Sequence, residues 1–231
     1  MSKLLGIANT KTMKGEAYGY RTYIMHLAPS TLSGYQVCAS ASPGCTKACL
    51  NLSGMGRFSN VQAARIAKTR WFFEDRGAFM DKLVKEIHAA IKSAKKAGLK
   101  AVFRLNGTSD IRWENQTVWG YNNVMELFPQ AQFYDYTKHM NRRNIPVNYH
   151  LTFSRSEMNE VEALSIISMG MNVAVVFDEL PTTWHGWKVV DGTETDLRFL
   201  DESRVVVGLK ANGKAKQDQT GFTVLTRARA A

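Results

Sequence analysis

Hydrophobic residues recur at two different spacings along this chain, and the spacing changes about two fifths of the way along it. In the first part, apolar residues at helical spacing predict a helix over residues 59–75, opened by a capping box of Ser59 and Gln62. A second apolar stripe predicts another helix over residues 78–97. Both helices carry basic residues on their polar sides. This part of the chain is therefore expected to be mainly helical.

The second part consists of short apolar runs separated by helical or mixed stretches. Together with one run before the helices, six strands are predicted, over residues 20–28, 101–105, 132–136, 147–153, 172–177 and 205–209. Strands that alternate with helices are typical of parallel βαβ construction. We expect a single α/β domain over residues 1–231, a full or partial (β/α) barrel that resembles a TIM barrel. Residues 1–19 are expected to form an N-terminal arm, and residues 180–200 an irregular insertion or lid.

Polar side chains crowd the C-terminal ends of the predicted strands, which is where functional residues lie in α/β sheets and barrels. Catalytic roles are predicted for Asp110 and Lys138. Substrate binding is predicted for seven further residues: Arg104, Asn106, Ser109, Tyr136, Ser154, Asp178 and Lys210. A buried Arg104 or Lys138 is costly unless it is paired, which favours contact with an anion or a carboxylate. Helix capping is the alternative role for Ser109 and Ser154.

The charge and composition narrow the classes of partner. A formal net charge of +10 on 231 residues favours an anionic small molecule or a nucleic acid, because the summed charge of a protein steers association. Four tryptophans with polar neighbours would suit base stacking or ordinary packing: Trp113, Trp119, Trp184 and Trp187. No apolar run approaches the ~18 residues of a membrane helix, and no secretory signal is recognisable. We expect a cytoplasmic protein without a membrane partner; the oligomeric state cannot be predicted.

Three cysteines, the full complement of the chain, lie within twelve positions as Cys38, Cys45 and Cys49. Their odd number and the absence of a secretory signal count against a disulfide framework, and in a reducing compartment clustered cysteines more often bind a metal. Three thiolates at loose loop spacing suit a [4Fe-4S] cluster whose fourth iron can bind another ligand. Zinc bound by the cysteines and His26 is the alternative, and three idle thiols are a further one.

The chain also contains five segments that point to a known family: SPGCTKACLNLSGMGRF, VFRLNGTSDIRWE, FYDYTK, NYHLTFSRSE and VVDGTETDLRF. Together they resemble the gene product eighty-eight-like proteins of bacteriophages, over most of the chain. This resemblance implies a phage protein in the cytoplasm of an infected bacterial host and implies no activity.

A broader resemblance is to radical S-adenosylmethionine enzymes. In those enzymes three cysteines, in the loop after the first strand of a partial barrel, hold a [4Fe-4S] cluster whose fourth iron binds the cosubstrate. Cys38, Cys45 and Cys49 stand at that place. Their spacing is Cys-x6-Cys-x3-Cys instead of Cys-x3-Cys-x2-Cys, and no Gly-Gly-Glu follows the second strand.

Two functions are therefore expected. The first is an iron-sulfur enzyme, radical S-adenosylmethionine-like or with an open iron that acts as a Lewis acid, on an anionic or nucleic-acid-related substrate. The alternative is a nucleic-acid-binding phage protein in which zinc or a cluster only ties the loop together. Walker, dinucleotide-binding, HExxH and Gly-x-Ser-x-Gly motifs do not occur, which counts against nucleotide hydrolysis and serine chemistry.

Overall fold

Ten strands of one mostly parallel sheet frame the computed structural model, which describes residues 3–7 and 13–226. The strands are β1 (Leu5–Gly6), β2 (Tyr20–Met25), β3 (Lys100–Arg104), β4 (Gln132–Thr137), β5 (Tyr149–Ser154), β6 (Val173–Phe177), β7 (Thr183–Trp184), β8 (Trp187–Asp191), β9 (Val206–Lys210) and β10 (Thr223–Val224). Their order is β1-β2-β3-β4-β5-β6-β9-β8-β7, and β10 pairs with β6. Only β1 and β7 run antiparallel to their neighbours, β2 and β8.

The sheet is open among the described strands, because β1 and β7 form its two edges and do not pair with each other. The predicted α/β class with parallel strands is confirmed, whereas a closed barrel is not. From β2 to β6 the strands lie side by side in chain order. Right-handed crossovers between such strands place every connection on the same face of the sheet. The opposite face must then be covered by another part of the chain.

The helices among the described residues are α1 (Pro43–Lys47), α2 (Ser59–Glu74), α3 (Arg76–Lys96), α4 (Val124–Leu127) and α5 (Glu160–Ser168). The two long helices predicted from periodicity are confirmed as α2 and α3. The predicted capping box is wrong, because Ser59 is already the first helical residue and no side chain caps the helix. Asp75 instead caps α3, accepting a hydrogen bond from the backbone N–H of Ala78 at 3.1 Å. In the part of the chain that the structure describes, no helix is long and apolar enough to cross a membrane.

The sheet is buried on both faces, as is usual for parallel strands. Successive side chains of a strand point to opposite faces, so that Phe103 and Phe133 pack toward the buried face of α3, whereas their neighbours Val102 and Tyr134 face the other way. Leu197 packs with Val102 and Tyr134 in a small apolar cluster of its own. The segment around Leu197 thus covers the face that the helices leave open.

Residues 180–200, expected as an irregular insertion or lid, hold several elements. The β7–β8 hairpin turns at His185 and Gly186, both with positive φ, and β8 joins the sheet beside β9. A 3₁₀ turn, Arg198–Leu200, follows on the face opposite the helices, which we call the inner face of the sheet. Of the N-terminal stretch 1–19, β1 pairs with β2 and Lys14–Tyr18 form a 3₁₀ helix, while Asn9 to Thr12, read from sequence as a turn, lie outside the described residues.

Candidate functional site

The C-terminal ends of strands β2 to β5 lie side by side, and we call this side of the sheet its C-terminal edge. The loops that follow these strands lie against each other there. The Thr108 hydroxyl donates to the carbonyl of Leu27 at 2.6 Å, which joins the loops after β3 and β2. The loop after β3 also contacts the loop after β4, since the Lys138 backbone N–H donates to Oδ2 of Asp110 at 2.8 Å. This edge holds the cysteine loop and most of the residues predicted from sequence to be functional.

The cysteine loop is fixed mainly by Ser42 and Gly44. The Ser42 hydroxyl donates to Glu157 after β5 at 2.7 Å, and accepts from the backbone N–H of Cys45 at 3.1 Å, so that it caps α1. The Gly44 N–H donates to the other oxygen of Glu157 at 2.7 Å. No side chain fits at Gly44, because a Cβ there would lie 2.7 Å from the Cβ of Phe222. The loop is therefore held between the β5 loop and the C-terminal segment.

Cys38, Cys45 and Cys49 are free thiols, each half-buried. Burial raises the pKa of Cys38 to about 11, with smaller contributions in the same direction from Cys49, Asp110 and Cys45. Burial also raises the pKa of Cys49, and Cys45 adds to this, whereas Arg65 and Lys138 lower it. Negative charge on neighbouring cysteines thus disfavours the ionisation of Cys38 and of Cys49, and a bound cation would reverse this effect.

The thiol side chains do not converge on one point. Among the residues that the structure describes, no group of three or more His, Cys, Asp and Glu side chains is placed to hold a metal ion. The Cys38 thiol points to the carbonyl of Thr108, with an S–O distance of 3.8 Å. The chemistry of the donor set therefore fits a three-thiolate centre, and the ligand geometry of such a centre is not formed.

His26, the fourth ligand of the zinc alternative, follows β2 directly. Burial lowers its pKa to about 3, and the positive charges of Arg65, Lys68 and Arg104 add to the effect, so the imidazole is neutral. Its Nδ1 atom is buried and has no hydrogen-bond partner among the residues that the structure describes. Gly107 lies against the ring, since a Cβ at Gly107 would collide with Nδ1. A neutral imidazole has one ring nitrogen with a free lone pair, which can accept a hydrogen bond or bind a metal.

The two residues predicted to be catalytic, Asp110 and Lys138, lie next to the cysteines. Asp110 is among the charges that raise the pKa of Cys38, and Lys138 is among those that lower the pKa of Cys49. The Lys138 ammonium donates to the hydroxyl of Ser154 at 3.2 Å, so that β4 and β5 position it jointly. Asp110, Lys138 and Ser154 are therefore brought together at the edge of the sheet.

Arg104 and Tyr136 lie further inside, on the inner face of the sheet. Arg104 forms an ion pair with Asp196 at 2.9 Å, and its guanidinium carbon lies 4.7 Å from the ring centre of Tyr136. Burial opposes the charge of Arg104, but Asp196 and the nearby tyrosines raise its pKa above the usual range. The hydroxyl of Tyr136 is buried and has no hydrogen-bond partner within residues 3–7 and 13–226. The carboxylate partner that a buried arginine requires thus comes from the segment that covers this face.

Asn106 and Ser109 shape the loop after β3. The side-chain oxygen of Asn106 accepts from the hydroxyl of Ser109 at 2.8 Å, the backbone N–H of Ile111 and the indole N–H of Trp113. Its amide group donates to the carbonyl of Ile111 at 2.9 Å. The side chain of Asn106 is therefore fully used within the protein and fixes the loop that carries Asp110.

Asp178 and Lys210 stand further along the sheet, at the ends of β6 and β9. Asp178 accepts hydrogen bonds from the backbone N–H groups of Glu179 and Thr226, at 2.8 and 2.9 Å. Lys210 is exposed. No hydrogen bond between described residues joins either of them to the cysteine loop. The structure thus brings the predicted residues of β3, β4 and β5 together and leaves these two apart.

A buried polar network beneath the site was not predicted. Asp135 is fully buried and accepts from the backbone N–H of Asn106 at 2.8 Å and from the hydroxyl of Tyr149 at 2.9 Å. Arg142 reaches the same tyrosine and pairs with Glu114. Asp135 could have been found as a charged residue within an aromatic strand. Arg142 lies in a polar stretch without periodicity, so nothing in the sequence marks it as buried.

The tryptophans expected as a stacking surface have different positions. Trp113 is completely buried and Trp184 is 8% exposed, so both belong to the core, whereas Trp119 is 55% exposed. The indole of Trp119 donates to Asp81, in the second turn of α3, at 2.6 Å. These tryptophans do not form one exposed surface.

The chain is similar to a known protein family. A family model described as Gene product 88 matches residues 3–224. The chain belongs to the Gene product 88 family. This agrees with the resemblance stated from sequence for the phage family. No curated protein and no solved structure matches the chain. The broader resemblance to radical S-adenosylmethionine enzymes therefore gains no support, and the family match by itself carries no activity.

Proposed function

We propose that this member of the Gene product 88 family holds a [4Fe-4S] cluster on Cys38, Cys45 and Cys49, and that the strand edge beside it is a catalytic site for an anionic substrate. One observation carries the proposal. The loop that carries the three cysteines lies at the C-terminal ends of parallel strands, where Ser42 and Gly44 donate to Glu157 and the Cys38 thiol points to Thr108, beside Asp110 and Lys138. That edge is where α/β folds place their chemistry.

The surroundings of the thiols fit a negatively charged centre. Arg65 and Lys138 both act on Cys49 in the direction that favours the thiolate. When bound, a cluster with three cysteine ligands would supply one iron that can bind a substrate atom or transfer an electron. Its ligands would have to turn toward one another, beginning with the Cys38 thiol that now points to Thr108.

The side chains next to the thiols supply recognition and proton transfer. The Lys138 ammonium, held by Ser154, attracts a phosphate or carboxylate group of the substrate. The carboxylate of Asp110, which accepts from the backbone of Lys138, is the acid-base group. Arg104 forms its ion pair with Asp196 and lies over the ring of Tyr136, so we assign it to positioning Tyr136 and not to direct contact with the substrate. The neutral His26 is a second acceptor at this edge.

Metal analysis tests the centre directly. Protein purified without oxygen should be brown and contain iron and acid-labile sulfide in about equal amounts. Single changes of Cys38, Cys45 or Cys49 to alanine should abolish cluster retention, because two thiolates hold a cubane poorly. His26→Ala is the control, since it removes a ligand of the zinc alternative and none of the cluster. Colourless protein with about one zinc per chain, lost in His26→Ala, would refute the cluster and support a structural zinc site.

The cosubstrate requires an experiment of its own. S-adenosylmethionine is added to the reduced, cluster-loaded protein under anaerobic conditions, and its cleavage products are measured. Cleavage would support a radical S-adenosylmethionine reaction. Absence of binding would remove that version and leave an open iron that acts as a Lewis acid.

A further inference from the structure

Two segments of this chain carry basic residues and no acidic ones. Residues 17–73 contain six Lys and Arg residues and no Asp or Glu, and residues 203–217 contain four and again none. The chain has 30 basic and 20 acidic residues, so what lies outside these segments holds 20 of each and is electrically neutral. The two stretches together contribute a charge of +10 and lack carboxylates, and residues 87–109, with five Lys and Arg, lack them as well.

The two segments meet beside the cysteine loop. A Cβ at Gly213 would lie 2.9 Å from the side chain of Ser53, which places the 3₁₀ helix Gly213–Gln217 against the turns that follow Cys49. Exposed basic side chains stand on both sides of this contact: Lys47, Arg57, Lys214 and Lys216. We call the surface formed by residues 47–58 and 213–217 the basic strip. It contains Cys49 and begins two residues after Cys45.

The basic strip also exposes large apolar side chains. Leu50 is 59% exposed, Met55 70% and Phe58 45%, all within nine residues. The guanidinium carbon of Arg57 lies 5.4 Å from the ring centre of Phe58, so charge and aromatic surface are presented together. Bases of single-stranded nucleic acids stack on exposed side chains of this kind, while basic neighbours follow the backbone.

We propose that the basic strip binds single-stranded nucleic acid and delivers it to the cysteine site. The inference deepens the proposed function by naming its substrate class, and the binding itself does not depend on the cluster. Charge complementarity is the main argument, since the four exposed basic side chains of the strip, Lys47, Arg57, Lys214 and Lys216, attract a polyanion. A membrane surface fits less well, because residues 50–52 and 54–57 form two short 3₁₀ turns and not an amphipathic helix with one continuous apolar face.

The experiment measures fluorescence anisotropy of labelled DNA and RNA strands of about 20 nucleotides, with the cysteine-intact protein, at several salt concentrations. The wild type should bind, with affinity that falls as salt rises. Lys214→Ala with Lys216→Ala should weaken binding on the order of tenfold and lower the slope of log affinity against log salt by about 1.4, since each phosphate contact to a single strand contributes about 0.7. Phe58→Ala should weaken binding roughly tenfold with the slope unchanged, because stacking is uncharged.

The matched control replaces Lys92 and Lys95, two exposed lysines of α3 outside both segments, with alanine. It removes the same charge and should leave the affinity near that of the wild type. Equal losses in the control and in the Lys214/Lys216 variant would overturn the inference, as would absent binding at low salt. Preferred binding of duplexes, or of anionic lipid vesicles with the same dependence on these variants, would overturn it as well. Iron and sulfide are measured on the same samples, so that metal-free protein which still binds strands contradicts only the cluster.

Discussion

Replacing Asp135 with asparagine should change the pH dependence of stability in a defined direction. Asp135 is fully buried on β4, and both of its oxygens accept hydrogen bonds, from Asn106 and Tyr149. Burial raises its pKa from the ordinary 3.8 to about 7, although Arg104 and Arg142 favour the carboxylate. The folded protein therefore retains a proton here that the unfolded chain loses near pH 4.

The sign and size of the change in the free energy of unfolding with pH follow from the difference in bound protons between the folded and unfolded states. Between pH 4 and 7 the folded state binds more protons than the unfolded state, so the contribution of Asp135 to stability is greatest below pH 4 and falls as the pH rises to 7. A shift of about three pKa units corresponds to about 4 kcal/mol, at 1.36 kcal/mol per unit. Asparagine resembles the protonated acid. Asp135→Asn should thus be close to the wild type in stability near pH 4 and more stable by up to about 4 kcal/mol above pH 7.

Urea unfolding at intervals between pH 4 and 8.5 measures this effect as the difference between variant and wild type at each pH. Taking the difference cancels other titrating groups, including His26, whose lowered pKa acts in the opposite direction. Asp196→Asn is a contrasting control, because it breaks the ion pair with Arg104 and should destabilise the protein throughout this range. A difference for Asp135→Asn that stays constant with pH, or a variant less stable than the wild type at pH 8, would refute the reasoning.

Three further changes test other parts of the site. Gly107→Ala should destabilise the protein by about 1–3 kcal/mol, because the new methyl group collides with His26; an unchanged melting temperature would contradict this packing. Arg104→Met should cost about 3–5 kcal/mol in urea unfolding by leaving the charge of Asp196 buried without its arginine, and a neutral result would show that the pair does not form. Ser42→Ala removes the cap of α1 and should cost about 1 kcal/mol and speed the reaction of the cysteines with a thiol reagent; equal rates in variant and wild type would speak against its role.

Much of the fold followed from the sequence because local patterns determine it. The apolar stripe of α3 appears in the structure as its buried face, and the six predicted strands correspond to β2, β3, β4, β5, β6 and β9. The strand-end rule also placed Asp110, Lys138 and Ser154 together. What could not be predicted depends on partners distant in the chain, such as the pairing of Arg104 with Asp196. The closure of the sheet depends on the pairing of its edge strands, which periodicity does not specify.

The contacts that hold the cysteine loop also set an order of events during synthesis. The hydrogen bond of Ser42 requires Glu157, which lies 115 residues later in the chain. Gly44 packs against Phe222, near the end of the described residues. Contacts of such separation form late. At a translation rate of about 5–20 residues per second, the thiols emerge roughly 10–30 s before the C-terminal segment that packs over their loop. A nascent chain thus has an interval in which the cysteine loop is open to other molecules, and the segment around Phe222, made later, then packs against the loop.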